Sequence, residues 1–177
     1  MVSGVVIPAD AEERVERRDF ASLEDYQAAV GGQIEAIDLH SLGVTLFVNE
    51  EGMLQRLPFN SRASSLWWYH VPDARHRTML VGDAVVVGLP DRNGDSTDVP
   101  EMATDLLTGY GPWKVEVRTV GDTKWYSNQL VYIDYFEAIT WAMLTLERWT
   151  AAEDVRVVPA DLVNPSRVAG GAAPPVA

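Results

Sequence analysis

The sequence predicts an α+β fold, with small mixed or antiparallel sheets packed against short helices and one long amphipathic helix near residues 134–149. Short runs rich in β-branched and aromatic residues, at 44–48 and 84–89, are typical of strands. Turns that contain glycine separate these runs. In residues 134–149 the apolar residues recur three and four positions apart, which is the stripe of a helix laid on a sheet.

Composition divides the chain into four parts. Residues 1–21 form a leader with an apolar opening and a charged continuation, and we expect this leader to contribute little to the core. Residues 22–98 are predicted to form an α+β unit, and residues 99–163 a second α/β unit packed on the first. Residues 164–177 combine proline and glycine with small residues, a composition that predicts a flexible tail.

The first unit is predicted from caps, turns and alternation. Ser22 can cap a helix that Asp25 favours and that Gly31-Gly32 ends. The elements expected after it are strands at 33–39 and 44–48, a turn at 49–52 into a hairpin strand at 53–57, a helix capped by Asn60 or Ser61 that reaches Tyr69, and a buried strand at 84–89.

The second unit follows the same kind of reasoning. The elements expected in order are a helix at 100–107 with Asp98 as its cap and Gly109 at its end, a strand at 113–117, a strand at 125–133, the long helix at 134–149, and a strand at 155–158. This order predicts a small sheet covered on one face.

Four short signatures carry a resemblance to a known family. They are Val30-Gly31-Gly32-Gln33-Ile34-Glu35, Asn49-Glu50-Glu51-Gly52, Asn60-Ser61-Arg62-Ala63 and Gly82-Asp83-Ala84-Val85-Val86-Val87-Gly88. Over residues 22–97 the chain resembles a phage and plasmid family, largely from actinobacteriophages, described as domain of unknown function 3846. The resemblance implies a phage or mobile-element setting and no established biochemistry.

Composition narrows the classes of function. The chain has no cysteine, which excludes disulfides, thiolate nucleophiles and cysteine metal sites. It has no apolar run of membrane-spanning length, and we expect a cytoplasmic protein of the host cell. The net charge of −12 repels nucleic-acid phosphates, and since no cluster of Lys and Arg is evident, direct nucleic-acid binding is not expected.

The junction at Asn60 and Arg62 is one candidate binding site. It lies where a loop enters a helix, and free N–H groups at such a position suit an anion. Ser61 stands where the family pattern has an arginine. The structural alternative is a helix cap, with Arg62 paired to an acid.

The aromatic run Trp67-Trp68-Tyr69 is the second candidate. Three successive large rings cannot all pack inward from one face of a helix. At least one is therefore expected to be exposed or to cover another element, and such rings are typical anchors of binding surfaces. Packing between the two predicted units explains the run equally well.

Two acidic clusters are further candidates, Glu50 with Glu51 for binding and the loop at 91–95 for a metal. Glu50 and Glu51 are adjacent, so on a strand they point to opposite faces and cannot act on one atom. Asp91, Asn93 and Asp95 alternate as in a calcium loop, but the glycine and the final glutamate of that pattern are missing. We therefore expect no metal, no cofactor and no catalytic residue, with this loop as a weak calcium candidate.

Three functions remain open from the sequence. The preferred hypothesis is a non-enzymatic accessory protein of a phage or mobile element that binds a host protein, in host takeover or counter-defence, and a homodimer is compatible with it. The second is an acidic DNA mimic that blocks a nucleic-acid-binding host enzyme. The third is a small-molecule or nucleotide binder, or a small enzyme, with a pocket where Gly31-Gly32, residues 49–51 and residues 60–62 converge.

Overall fold

A computed structural model describes residues 1–160, and they form an α+β fold as predicted. The chain divides into two compact units, the first from Met1 to Gly109 and the second from Tyr110 onward. The tail predicted at 164–177 lies outside the described residues. Within residues 1–160, no helix is long and apolar enough to cross a membrane.

The first unit is built on a five-stranded antiparallel sheet. Its strands are β1 (Val2–Ile7), β2 (Glu16–Phe20), β3 (Ile34–Leu39), β4 (Val44–Asn49) and β5 (Ala84–Gly88). Their order across the sheet is β2-β1-β5-β4-β3, so strands from the two ends of the unit lie side by side at its centre. All residues of β4 and β5 are buried, which is typical of strands covered on both faces.

The leader is part of this sheet, and the expectation that it contributes little to the core is wrong. β1 pairs with β2 on one side and with β5 on the other. Val5 and Ile7 are completely buried. The apolar opening was correctly noticed in the sequence, but it is a central strand because its partner β5 lies about eighty residues away, beyond any local pattern.

Three helices complete the first unit: α1 (Leu23–Val30), α2 (Ser61–His70) and α3 (Glu101–Thr108). The start of α1 is fixed as predicted, since the Asp25 carboxylate accepts hydrogen bonds from the N–H groups of Ala21 and Ser22 at 2.7 and 3.0 Å. Gly31 ends α1 with a left-handed φ of 77°, a conformation that other residues rarely adopt. A 3-10 turn at Pro72–Ala74 follows α2.

The sheet of the first unit buries side chains on both faces. The cluster against α1 consists of Val6, Phe20, Tyr26, Val30, Phe47, Val85 and Val87. Within it, the ring of Tyr26 lies 4.6 Å from that of Phe20 and 5.2 Å from that of Phe47. Val5, Leu46 and Val86 alternate with these residues and are completely buried, so a second layer covers the opposite face.

Two expectations about the first unit need correction. The predicted strand at 53–57 is a series of turns, and the hairpin is formed by β3 and β4 instead. The helix predicted at 100–107 is present as α3 but lies in the first unit. Asp98 does not cap it, because its carboxylate accepts a hydrogen bond from the N–H of Ser3 at 2.7 Å and so ties β1 to the segment before α3.

The second unit has a three-stranded antiparallel sheet of order β7-β6-β8 and one long helix. Its elements are β6 (Trp113–Thr119), β7 (Tyr126–Ser127), α4 (Tyr135–Arg148) and β8 (Ala152–Pro159). The long helix is confirmed, with Asp134 as its N-cap accepting from the N–H of Glu137 at 3.0 Å. The strand expected at 125–133 is reduced to the two residues of β7.

Candidate binding surface

Asn60 anchors α2 to the sheet. Its side chain is completely buried, and its carbonyl oxygen accepts from the N–H of Ala63 at 2.9 Å, which is the predicted cap. Its amide nitrogen donates to the carbonyls of Ile7 and Gly82, both at 2.9 Å. Since all these bonds are internal, Asn60 holds the helix in place and does not present a surface to a partner.

Arg62 is also committed to the fold. Its guanidinium donates to the backbone carbonyls of Pro8 and Asp10 at 2.7 Å each, and to that of Glu13 at 2.8 Å. The alternative in which Arg62 pairs with an acid is therefore wrong, because carbonyls of the β1–β2 connection take the place of a carboxylate. Few of its donors remain to hold an anion.

The aromatic run ends α2 on the border between core and solvent. Trp67, Trp68 and Tyr69 are all half-buried. Trp68 covers a neighbouring loop, because its ring stacks on Phe59 with centroids 6.4 Å apart and its Nε1 donates to the Thr78 carbonyl at 2.8 Å. The stack holds the exposed ring of Phe59, which lies in the loop before α2, against Trp68 of that helix.

Two connecting segments meet beside this stack. Residues 52–60 lead into α2, and residues 76–82 lead from it to β5. They are joined by a bridge between Phe59 and Val81 and by backbone bonds, from the N–H of Asn60 to the carbonyl of Leu80 at 3.0 Å and from the N–H of Gly82 to the carbonyl of Pro58 at 2.8 Å. Paired in this way, the two connections form a defined part of the surface.

Large apolar side chains project from the two connections. Leu54 is 83% exposed, Met53 60%, Phe59 47% and Met79 45%. Four such residues on two paired loops are more than the scattered single apolar residues normal for a protein surface. We call this region the apolar–basic surface. It consists of residues 52–60 and 76–82 together with Trp68, Arg62 and Arg75.

Arginines accompany these apolar residues. Between Gly52 and Leu80 there are four arginines, at 56, 62, 75 and 77, against a single acid, Asp73. This stretch therefore carries +3 in a chain whose net charge is −12, so the remaining residues carry −15. The sequence expectation that no basic cluster exists overlooked this local reversal, because the arginines are separated along the chain.

The arginines of the apolar–basic surface have no carboxylate partner among residues 1–160. Arg56 and Arg77 are exposed and form no ion pair there. Arg75 donates from Nη2 to the Trp68 carbonyl at 3.2 Å, and its buried Nε has no hydrogen-bond partner. Their charges are therefore not neutralised within the described chain.

Unusual backbone also marks this surface. Arg56 has a φ of 55° and His76 a φ of 65°, both in the left-handed region that favours glycine. Such conformations cost about 1–3 kcal/mol each and concentrate at functional sites. Of the three non-glycine residues with positive φ among residues 1–160, two lie on the apolar–basic surface.

His70, at the end of α2, is held in its neutral form. Its Nδ1 lies 2.9 Å from the Ser41 hydroxyl. Burial of the imidazole lowers the pKa of His70 to about 4, since the charged form loses hydration. His70 is thus uncharged at neutral pH and contributes nothing to the positive charge of the neighbouring arginines.

The other candidate residues lie away from this surface or serve local structure. Glu50 and Glu51 are exposed in the turn after β4. Gly32 lies against Asn49, since a Cβ on Gly32 would be 2.7 Å from the Asn49 amide nitrogen. Gly31-Gly32 therefore meets residues 49–51, but Asn60 is bonded to a different part of the sheet, and the three segments do not share a set of hydrogen bonds.

The calcium candidate forms a self-contained turn. One carboxylate oxygen of Asp91 accepts from the N–H groups of Asn93 and Asp95 at 2.8 and 3.0 Å. The bond from the Asp95 N–H and then that from Asn93 lower the pKa of Asp91. Among residues 1–160 no group of three His, Asp or Glu side chains is placed to hold a metal ion.

The first unit is thus an antiparallel α+β domain that carries an exposed apolar–basic surface on its loops. The family model described as domain of unknown function (DUF3846) matches residues 3–110, which is more than half of the chain. The protein therefore belongs to this family. The match covers β1, β2 and α3 beyond the resemblance at 22–97, and it agrees closely with the first unit. Neither a curated protein nor a solved structure matches the chain.

Sequence reasoning identified Trp68 but missed most of the apolar–basic surface. The sequence predicts a strand at Met53 and Leu54, and no pattern marks Phe59 or Met79 as part of a surface. The signal that would have found the surface is the charge of residues 52–80, which reverses the sign of the chain as a whole. Pattern alone could not show that these two loops are paired, because the pairing is tertiary.

Proposed function

We propose that the protein is a non-enzymatic accessory protein of a phage or other mobile element that binds a host protein through the apolar–basic surface. It acts in the cytoplasm of the host cell, in host takeover or counter-defence. The setting rests on the resemblance of the four signatures to phage and plasmid proteins, since the family description itself gives no function. The mode of action rests on the surface itself.

The observation that carries this proposal is the exposure of Leu54, Met53, Phe59 and Met79 on two paired connections, with Phe59 stacked on Trp68. Burying apolar side chains in an interface gains roughly 25 cal/mol per Å². Aromatic residues held by a rigid element lose little entropy when a partner covers them, which is why they are common at the centre of interfaces. The stack of Phe59 on α2 meets this condition.

The acidic-mimic alternative has less support. A DNA mimic needs carboxylates at the spacing of phosphates on one continuous surface. The acid-rich stretch at 10–25 is interrupted by arginines, and Arg18 donates to Glu16 at 2.7 Å on β2. The Asp25 carboxylate already accepts hydrogen bonds from the backbone at the start of α1. The stretch is thus a mixed surface instead of a row of free negative charge.

The enzyme alternative also has less support. A carboxylic acid that donates a proton near neutral pH needs a raised pKa. Among residues 1–160, the carboxyl groups with shifted pKa values are Glu24, Asp91, Glu116 and Asp122. The pKa of each is lowered, and hydrogen bonds are the leading cause. These groups are stabilised as anions, which suits structural roles.

The test is capture of a partner from host lysate with wild type and two matched variants. Leu54→Asp places a charge at the most exposed position of the surface, while Met102→Asp makes the same change on α3 at a residue that is 75% exposed. We expect wild type and Met102→Asp to retain the same host protein and Leu54→Asp to lose it. Binding of that purified protein should weaken at least about tenfold in Leu54→Asp.

Thermal unfolding of the three proteins controls for folding, because both substitutions are at exposed positions and should leave stability nearly unchanged. Equal capture by Leu54→Asp and wild type would remove the surface from the proposal. A partner lost equally by both variants would point to a general effect of added negative charge.

A further inference from the structure

We infer that the apolar–basic surface recognises an acidic segment with apolar anchors on its partner protein. The inference rests on the proposed function and specifies the chemistry of the partner. Apolar side chains and unpaired arginines lie together there, and an amphipathic acidic segment matches both. Leu54, Phe59 and Met79 would contact its apolar residues, while Arg56 and Arg77 would contact its carboxylates.

The first argument is the distribution of charge. Carboxylates outnumber basic residues 26 to 14 in this chain, so an exposed arginine has many acids available within its own protein. Elsewhere in the described residues, such pairs are formed, as between Arg18 and Glu16 at 2.7 Å and between Arg156 and Glu116 at 2.7 Å. The absence of any ion pair at Arg56 and Arg77 in the described residues leaves positive charge for a second molecule.

The second argument is the backbone. Arg56, within residues 52–60, and His76, at the start of residues 76–82, hold left-handed conformations without being glycine. Glycine would remove the steric cost at either position. Keeping larger side chains at such positions is typical of sites where their placement serves binding.

Two other occupants fit less well. A nucleic acid would meet the arginines and the ring of Phe59, but the remaining −15 of the chain repels phosphates. A second copy of this chain carries acids, but those near its first strands are mixed with arginines. Each of these occupants gives a distinct result in the test below.

The test uses a series of helical peptides of about 16 residues that share one leucine stripe and differ in net charge, from zero to about −6, by replacing Gln with Glu. Binding to the full chain is measured by fluorescence anisotropy. Affinity should rise with negative charge, by about tenfold across the series. It should fall as salt is raised from about 50 mM to about 500 mM.

Three variants assign the effect to residues. The double variant Arg56→Glu/Arg77→Glu should abolish the dependence on peptide charge. Arg92→Glu, an exposed arginine in the loop after β5, makes the same type of change elsewhere in the first unit and should leave the dependence intact. Leu54→Asp should weaken binding of every peptide, including the neutral one, because it disrupts the apolar contact.

A flat charge series, or no binding at all up to about 1 mM, overturns the inference. So does a single-stranded oligonucleotide that binds more tightly than the most acidic peptide, or a concentration-dependent dimer that disappears in Arg56→Glu/Arg77→Glu. If host capture still depends on Leu54 while the charge series is flat, the proposed function stands and only the acidic partner is wrong. If Leu54→Asp affects neither, both proposals fail.

Discussion

Each unit of this protein has a tryptophan near arginines, and the two arrangements differ in how the charge is balanced. In the second unit the guanidinium of Arg156 lies 4.3 Å from the centre of the Trp125 ring and that of Arg118 lies 5.4 Å from it. Arg156 pairs with Glu116 at 2.7 Å, and Arg118 with Asp154 at 3.4 Å. This cluster is balanced within the unit.

In the first unit Trp68 stacks on the apolar ring of Phe59, and Arg56 and Arg77, on the two paired connections, have no carboxylate partner among residues 1–160. The comparison teaches that tryptophan with arginine is not by itself a binding site. Where carboxylates neutralise the arginines, the cluster stabilises a sheet; where they do not, the charge is available to another molecule.

The largest effect on stability is expected at Asn60, which anchors α2 to the sheet of the first unit. Asn60→Ala removes the cap of α2 and leaves the buried carbonyls of Ile7 and Gly82 without their donor. We expect a loss of about 3 kcal/mol in the free energy of unfolding, measured by urea denaturation. Asn93→Ala, in an exposed turn, should lose about 0.5 kcal/mol or less. Similar losses in the two variants would show that Asn60 does not hold the surface.

The second prediction uses pH to distinguish the two units, because His70 in the first unit and Glu116 in the second affect stability in different pH ranges. His70 has a folded pKa of about 4 against 6.5 when unfolded, so the unfolded chain binds its proton first as the pH falls. The stability that the neutral His70 contributes should be complete above about pH 6.5 and should fall by about 3 kcal/mol by pH 4. Denaturation across this range checks it, and His70→Gln should remove most of the loss. His40→Gln should retain this loss of stability, because the buried imidazole of His70 is still present.

The charged cluster of the second unit titrates in a lower window. Lys114 first, and then Arg156, lower the pKa of Glu116 below its ordinary value of 4.5. Its contribution is therefore present above about 4.5 and is lost as the pH falls through the folded pKa. Glu116→Gln should change stability at pH 6 and leave the slope between pH 6.5 and 5 unaltered. A changed slope in that window would contradict this assignment.

The smallest expected effect is the difference in stability between two variants, each with one arginine replaced in a different unit. Arg156→Glu breaks the pair with Glu116, removes the contact with Trp125 and places two acids side by side, so it should cost about 1 kcal/mol. Arg77→Glu breaks no ion pair and should change stability by less than about 0.5 kcal/mol. Urea denaturation of both variants checks the difference. Equal losses would mean that the first-unit arginines are structural after all.

Much of the fold could be predicted because its signals are local. Asp25, Gly31 and Asp134 act on residues no more than a few positions away, and the helices they delimit begin or end where expected. The apolar stripe of α4 can be seen in the sequence without knowing which strands the helix packs against. The hairpin strand predicted at 53–57 is wrong because the turn at 49–52 continues to residue 56, and Met53 and Leu54 face solvent.

The sequence alone established the fold class, the family resemblance, a helix cap at Asn60 or Ser61 and the long helix, because their signals are local patterns of residues. Only the tertiary structure decided that β1, in the leader, is an inner strand of the sheet, that Arg62 is bonded to backbone carbonyls, and that residues 52–60 and 76–82 are paired. These features join segments far apart in the chain. Their pairing is settled by the burial of the whole sheet, which no short window of sequence contains.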